Sequence, residues 1–192
     1  MKHIAVFAGA SASINPEFNE KMFQTGRLLA ENNKILVFGI GDEGMMGTVY
    51  RGVRSLNGKV LGITTPELLK LQCKNPKEFA PEEMEVVATL SIRKAKMFEA
   101  ADALLIGPGG WGTLDELAEY CVLTQVGQLP KKPVVFLNFN GFWNPMKEMI
   151  RVMLDKGTVN PKLTDFIAFT EKPEDIPGTL KKLSQKIKSE AS

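Results

Sequence analysis

Histidine is almost absent from this 192-residue chain, which has His3 alone, and cysteine is limited to Cys73 and Cys121. One histidine excludes a histidine-based catalytic triad or a multi-histidine metal centre, and two cysteines without metal-ligand spacing exclude a disulfide framework or a zinc site. Charge of one sign is scarce too. The 24 basic side chains nearly cancel the 22 acidic ones, leaving about +2, so neither nucleic acid nor an anionic membrane is an expected partner, and any basic site must be local. No apolar run is long enough to span a bilayer, and the opening MKHIAVFAGAS is too short for a signal peptide, so a cytoplasmic protein is expected.

What is present is a regular alternation. Short apolar runs fall at 4–7, 35–38, 59–63, 103–106 and 134–137, with a weaker candidate at 85–88 and a late edge at 166–169. Between them, the stretches 17–31, 45–55, 92–100, 114–126, 144–155 and 173–188 carry apolar residues at three- and four-residue spacing. This rhythm predicts one α/β domain over residues 1–192, with a Rossmann-like, doubly wound, mostly parallel sheet and helices on both faces. Ligands of such sheets bind beyond the carboxyl ends of the strands. The irregular stretch 64–81 reads as a surface excursion able to cover that edge, and 181–192 as a solvated, fraying helix end.

Three glycine-bearing loops follow strands: Gly9-Ala10-Ser11-Ala12-Ser13, Gly39-Ile40-Gly41-Asp42-Glu43-Gly44, and Pro108-Gly109-Gly110-Trp111-Gly112-Thr113. Glycine after a strand is often turn chemistry alone. Gly39, Gly41 and Gly44 fit a dinucleotide fingerprint, but no acidic ribose ligand follows the next strand, which lowers a nicotinamide dehydrogenase. The third loop runs directly into a helix, whose free amides and positive dipole end suit a phosphate. Thr113 and Glu116 carry two competing readings. Their spacing is that of a capping box, which explains both without chemistry. Alternatively, Glu116 is a carboxylate within reach of an anion seated on the turn. In Ser91-Ile92-Arg93-Lys94-Ala95-Lys96-Met97, three cations crowd the first turns of a helix, where the dipole disfavours them. Solvent and nearby glutamates account for Lys96; the planar guanidinium of Arg93 suits a phosphate or ribose clamp.

Arg93-Lys94, Met97 and the run Pro108–Glu116 resemble the LOG (Lonely guy) family of nucleoside 5′-monophosphate phosphoribohydrolases. Val6–Ser11, Gly39–Gly47 and Asn138–Pro145 are similar to further family segments, so the resemblance covers most of the chain. It implies a homodimeric enzyme that hydrolyses the N-glycosidic bond of AMP or a cytokinin riboside monophosphate, without metal or cofactor. It further implies Arg93 and Glu116 as the catalytic pair, and Gly9, Ser11, Gly41, Gly44, Lys94, Met97, Pro108, Gly109, Gly110, Trp111, Gly112 and Thr113 as substrate-binding positions. Ile40 stands where the family commonly has a third glycine, and Asp42-Glu43 adds negative charge beside the loop. The alternative is a non-catalytic nucleotide or molybdenum-cofactor carrier of the same fold. The label "lysine decarboxylase", often attached to this family, predicts a pyridoxal phosphate lysine, and no lysine here sits in a recognisable cofactor motif. The dimer expectation draws on Tyr120, Leu123 and Val126, read as an exposed apolar face.

Overall fold

A computed structural model describes residues 1–190. Seven strands form one sheet: β1 (His3–Phe7), β2 (Ile35–Phe38), β3 (Val60–Thr64), β4 (Met84–Val86), β5 (Ala103–Ile106), β6 (Val134–Leu137) and β7 (Ile167–Thr170). Their spatial order is β4-β3-β2-β1-β5-β6-β7, and every pairing is parallel. The chain therefore builds outward from β1 to one edge, returns to the other side of β1 as β5, and continues to the opposite edge. That reversal is a topological switch point, and it opens a crevice at the carboxyl ends of β1 and β5.

Alternation along each strand divides the core between the two faces. Ile4, Val6, Leu36, Phe38 and Leu105 point to one side, where α1 (Pro16–Glu31), α2 (Gly44–Arg54) and α7 (Ile176–Glu190) supply Met22, Leu29, Val49, Val53 and Leu180. Ala5, Phe7, Val37, Leu104 and Ile106 point to the other, where α4 (Leu90–Ala100) and α5 (Trp111–Gln125) supply Met97, Phe98, Leu117 and Tyr120. The remaining helices are α3 (Pro66–Gln72) and α6 (Asn144–Asp155). No described helix is long and apolar enough to cross a membrane.

One sequence expectation needs correction. Tyr120 is fully buried, not on an exposed face. Its ring packs between Phe98 and Phe166, and its hydroxyl donates to the Pro130 carbonyl and accepts from the Lys132 amide, so the aromatic residue is drawn inward by both area and hydrogen bonds. In the stretch 181–190 Leu183 is buried in the first core and most other residues are exposed, while Ala191 and Ser192 lie outside the described residues.

Ile40 has a left-handed backbone, φ 57°, a conformation that a β-branched side chain adopts only at a cost of about 1–2 kcal/mol. Burial offsets it. The Ile40 side chain is 1% exposed and fills the notch beside Gly62 of β3, where an added Cβ would lie 2.0 Å from Ile40 Cδ1. Ile40→Gly is therefore expected to relieve the backbone yet leave a void, for a net destabilisation of about 1–3 kcal/mol measured by urea unfolding.

Candidate functional site

Strand register brings the loops together. Phe7 pairs with Ile106, so the segments after β1 and β5 leave the sheet side by side. The Gly9 amide donates to the Pro108 carbonyl at 2.9 Å, and the Gly9 carbonyl accepts from the Met45 amide of α2 at 3.0 Å. All three glycine loops are thus laced into one wall. Gly44, with φ 55°, lies so close to the first loop that a Cβ there would fall 2.7 Å from Ser11 O. In front of this wall is a cleft of about 800 Å³, a volume typical of small-molecule sites.

The floor of the cleft is the start of α5. Gly110 occupies the cap position and no side chain caps the helix, so its first amides are left without the partner that a capping residue would give them. The helix starts three residues earlier than the capping reading requires, so Thr113 lies inside it, and its side chain packs where a Gly109 Cβ would stand, 2.2 Å from Oγ1. The capping box is not formed. Nothing lies within 4 Å of a Cβ built at Gly110 or Gly112, so neither glycine is imposed by the chain's own packing. The space they leave opens into the cleft.

Glu116, one turn along α5, reaches across to α4 instead of back to its own amides. Its Oε1 accepts from Arg93 Nη1 at 2.9 Å, and Arg93 Nε donates to the Ile63 carbonyl of β3 at 3.0 Å. Both side chains are nearly buried, at 8% and 12% exposure, yet both line the cleft. Burial raises the Glu116 pKa above the ordinary carboxylate value, while the Arg93 charge and hydrogen bond oppose it. The arginine that seemed misplaced at the start of α4 is therefore compensated by this carboxylate and by a carbonyl at the end of a strand. Thr89 caps α4, its side chain accepting from the Ile92 amide, and Lys96 pairs with Glu85 near solvent.

Lys94 also lines the cleft, but its ammonium is engaged by Asp115 at 2.7 Å and by Glu119. Burial works to lower its pKa; the two carboxylates outweigh that and raise it. Gly9, Ser11, Pro108, Gly109, Gly110, Gly112 and Thr113 line the cleft as well. Four positions expected to bind substrate do not line it. Met97 is fully buried in the second core, Trp111 points outward at 87% exposure, and Gly41 and Gly44 support the wall from behind.

The 64–81 stretch covers this edge as expected, through residues that the sequence did not single out. The 64–81 excursion contains α3, capped by Thr65, and places Leu68, Leu71 and Gln72 over the cleft. Asp42 fastens it: the carboxylate accepts from the Asn75 amide at 2.6 Å and the Asp42 amide donates to the Gln72 carbonyl at 3.2 Å. Of the two acidic residues in the second loop, Asp42 is thus spent on this tether, whereas Glu43 lines the cleft and pairs with Lys74. Opposite α3, Phe18 and Phe142 meet edge to face at 5.8 Å on the rim. Phe142 is carried there by the 138–145 segment, in which buried Asn138 accepts from the Trp143 amide at 2.7 Å.

The family model described as "possible lysine decarboxylase" matches residues 46–180. A cytokinin riboside 5′-monophosphate phosphoribohydrolase of Arabidopsis thaliana is 37% identical over 163 residues, which is 83% of this chain and 72% of that protein. The chain belongs to the LOG family. A probable LOG phosphoribohydrolase of Oryza sativa subsp. japonica is 30% identical over 186 residues, covering 95% of this chain and 73% of its own. Among solved structures, the molybdenum cofactor carrier protein of Chlamydomonas reinhardtii superposes with a TM-score of 0.67 at 19% identity, covering 96% of this chain and 98% of its own. A molybdenum cofactor binding protein of Rippkaea orientalis gives 0.66 at 19%, with 95% and 96% covered. At that identity the likeness is one of fold.

The decarboxylase description does not fit these residues. Schiff-base chemistry with pyridoxal phosphate needs a lysine amine that can shed its proton, which requires a depressed pKa. Lys94 is the lysine lining the cleft, and its two carboxylates hold it charged.

Proposed function

We propose that this LOG-family chain hydrolyses the N-glycosidic bond of a nucleoside 5′-monophosphate, AMP or a cytokinin riboside monophosphate, to free base and ribose 5-phosphate. The observation that carries the reading is the buried Arg93–Glu116 pair standing one helical turn beyond the uncapped start of α5, where Gly110 and Gly112 leave open space. A 5′-phosphate seated on the amides of Gly110–Thr113 meets the positive end of the helix dipole. Its ribose then lies alongside Glu116.

Cleavage passes through an oxocarbenium-like state at C1′. Water adds its oxygen to C1′ as the C1′–N bond breaks; the bonding pair leaves with the base nitrogen, which takes up a proton, while the water gives one up. Glu116 stabilises the positive charge developing on the ribose and receives the proton of the attacking water, and its raised pKa brings its basicity closer to neutral pH. Arg93 holds that carboxylate in one orientation between α4 and β3. The names of the relatives support the substrate class.

If the phosphate seat contributes as proposed, AMP is cleaved with a far larger kcat/KM than adenosine, on the order of 10²-fold or more for the loss of a charged anchor. Steady-state kinetics on the two substrates checks this, and equal efficiencies would remove the seat from the account.

The chain is also proposed to act as a homodimer. Trp111 and Val122 of α5, Val126 just after it, and Leu90 and Ile92 of α4 expose apolar side chains, with Trp111 at 87% and Val126 at 60%. Light scattering is expected to give twice the 21.2 kDa chain mass; a concentration-independent mass of one chain would end this claim.

A further inference from the structure

We infer that Gly39 is a positioning residue for the hydrolysis, its missing side chain forming the slot that holds the Arg93 guanidinium against Glu116. The inference rests on the reaction proposed above. Gly39 follows β2, is buried, and has a φ outside the left-handed region, so φ does not demand glycine there. Packing does. A Cβ built on Gly39 would lie 1.7 Å from Arg93 Nη2, 2.8 Å from Cζ and 3.4 Å from Nε, and these are its three nearest neighbours. The obstruction is entirely the end of one side chain, not backbone. The guanidinium is thereby held on three sides: Nε to the Ile63 carbonyl of β3, Nη1 to Glu116 of α5, and Nη2 over the bare Cα at the end of β2.

A methyl group at position 39 leaves the fold room to form but evicts the guanidinium. Because Gly39 touches Glu116 only through Arg93, its substitution acts on the carboxylate in two ways: orientation is lost, and the positive charge that opposes burial is displaced. The charged groups facing Glu116 are Arg93 and Lys94 from α4 and Asp115 from its own helix, with Glu43, immediately before α2, lining the same cleft. Of these, Gly39 contacts Arg93.

The test is a double-mutant cycle of Gly39→Ala with Arg93→Gln, whose shorter side chain ends about where Nε stands. Gly39→Ala alone is expected to fold, to lose about 10²-fold in kcat on AMP as for an ångström-scale misplacement, and to raise the midpoint of the Glu116 carboxyl titration followed by ¹³C NMR, the resonance being identified by its loss in Glu116→Gln. In the Arg93→Gln background the same methyl is expected to change neither kcat nor the midpoint further. Equal losses in both backgrounds, a wild-type midpoint in Gly39→Ala, or failure of Gly39→Ala/Arg93→Gln to fold would each overturn the inference. The titration arm stands without turnover: if the wild type releases no base, the hydrolase reading fails while the midpoints still decide whether Gly39 sets Arg93.

Discussion

Glu116→Gln is expected to lower kcat on AMP by about 10²–10⁴-fold, the usual contribution of a positioned general base, while AMP binding changes little. Glutamine keeps the shape and can still meet Arg93 Nη1 through its carbonyl oxygen, but it can neither take a proton nor offset a developing cation. The split matters more than the size of the loss. An interaction made in the transition state alone lowers kcat and leaves ground-state binding intact. The acid side of the wild-type pH profile should report the same group: burial places the Glu116 pKa above the ordinary carboxylate value, so activity is lost as pH falls through that raised value. The sign for stability is opposite. A carboxyl whose pKa is higher folded than unfolded contributes stability below its unfolded pKa and loses it as pH rises through the folded one. Melting temperatures of Glu116→Gln should therefore gain on those of the wild type between mildly acidic and neutral pH.

Gly112→Ala is expected to move stability and binding in opposite directions. The methyl meets nothing within 4 Å, and alanine in place of glycine favours a helix by up to about 1 kcal/mol, so the variant should melt at or above the wild-type temperature. In the cleft the same methyl stands where a phosphate must approach the α5 amides. Crowding of about 1–3 kcal/mol corresponds to roughly a 10–100-fold rise in the AMP dissociation constant, measurable by calorimetry. Gly109→Ala is a different case, because its methyl strikes Thr113 and costs stability as well. A Gly112→Ala chain that binds AMP like the wild type would place the phosphate elsewhere.

Much of this fold is written in local patterns. Five of the strands are largely buried apolar runs, and helix signals such as the proline at Pro16 and the apolar spacing of 144–155 locate their elements closely. The edge strands β4 and β7 are weaker signals: exposed Glu85 interrupts the apolar pattern of β4, and Ile167–Phe169 of β7 are only half-buried. The short helix α3 has no buried residue, so no amphipathic stripe announces it within 64–81. Tyr120 misled for the reason aromatic residues often do: with an apolar ring and a polar tip, its place on a mixed helix face is settled by partners distant in sequence, here Phe166 and Lys132.

The site was legible as residue types, less so as roles. Arg93 stood out because a cation at a helix start needs compensation, and Glu116 because it follows a turn suited to an anion. Their pairing required the strand order to bring α4 beside α5, as did the commitment of Lys94 to Asp115 and Glu119. Gly39 was visible as one glycine among several; what distinguishes it is a contact with a side chain 54 positions later.

The most direct measurement is a product analysis: AMP incubated with the wild type and with Glu116→Gln, and the mixture resolved by chromatography for adenine and ribose 5-phosphate. The account predicts equimolar release of the two by the wild type and release slower by about 10²–10⁴-fold from the variant. Binding of AMP without release by the wild type would contradict it and point to a carrier; equal release by both proteins would leave Glu116 outside the chemistry.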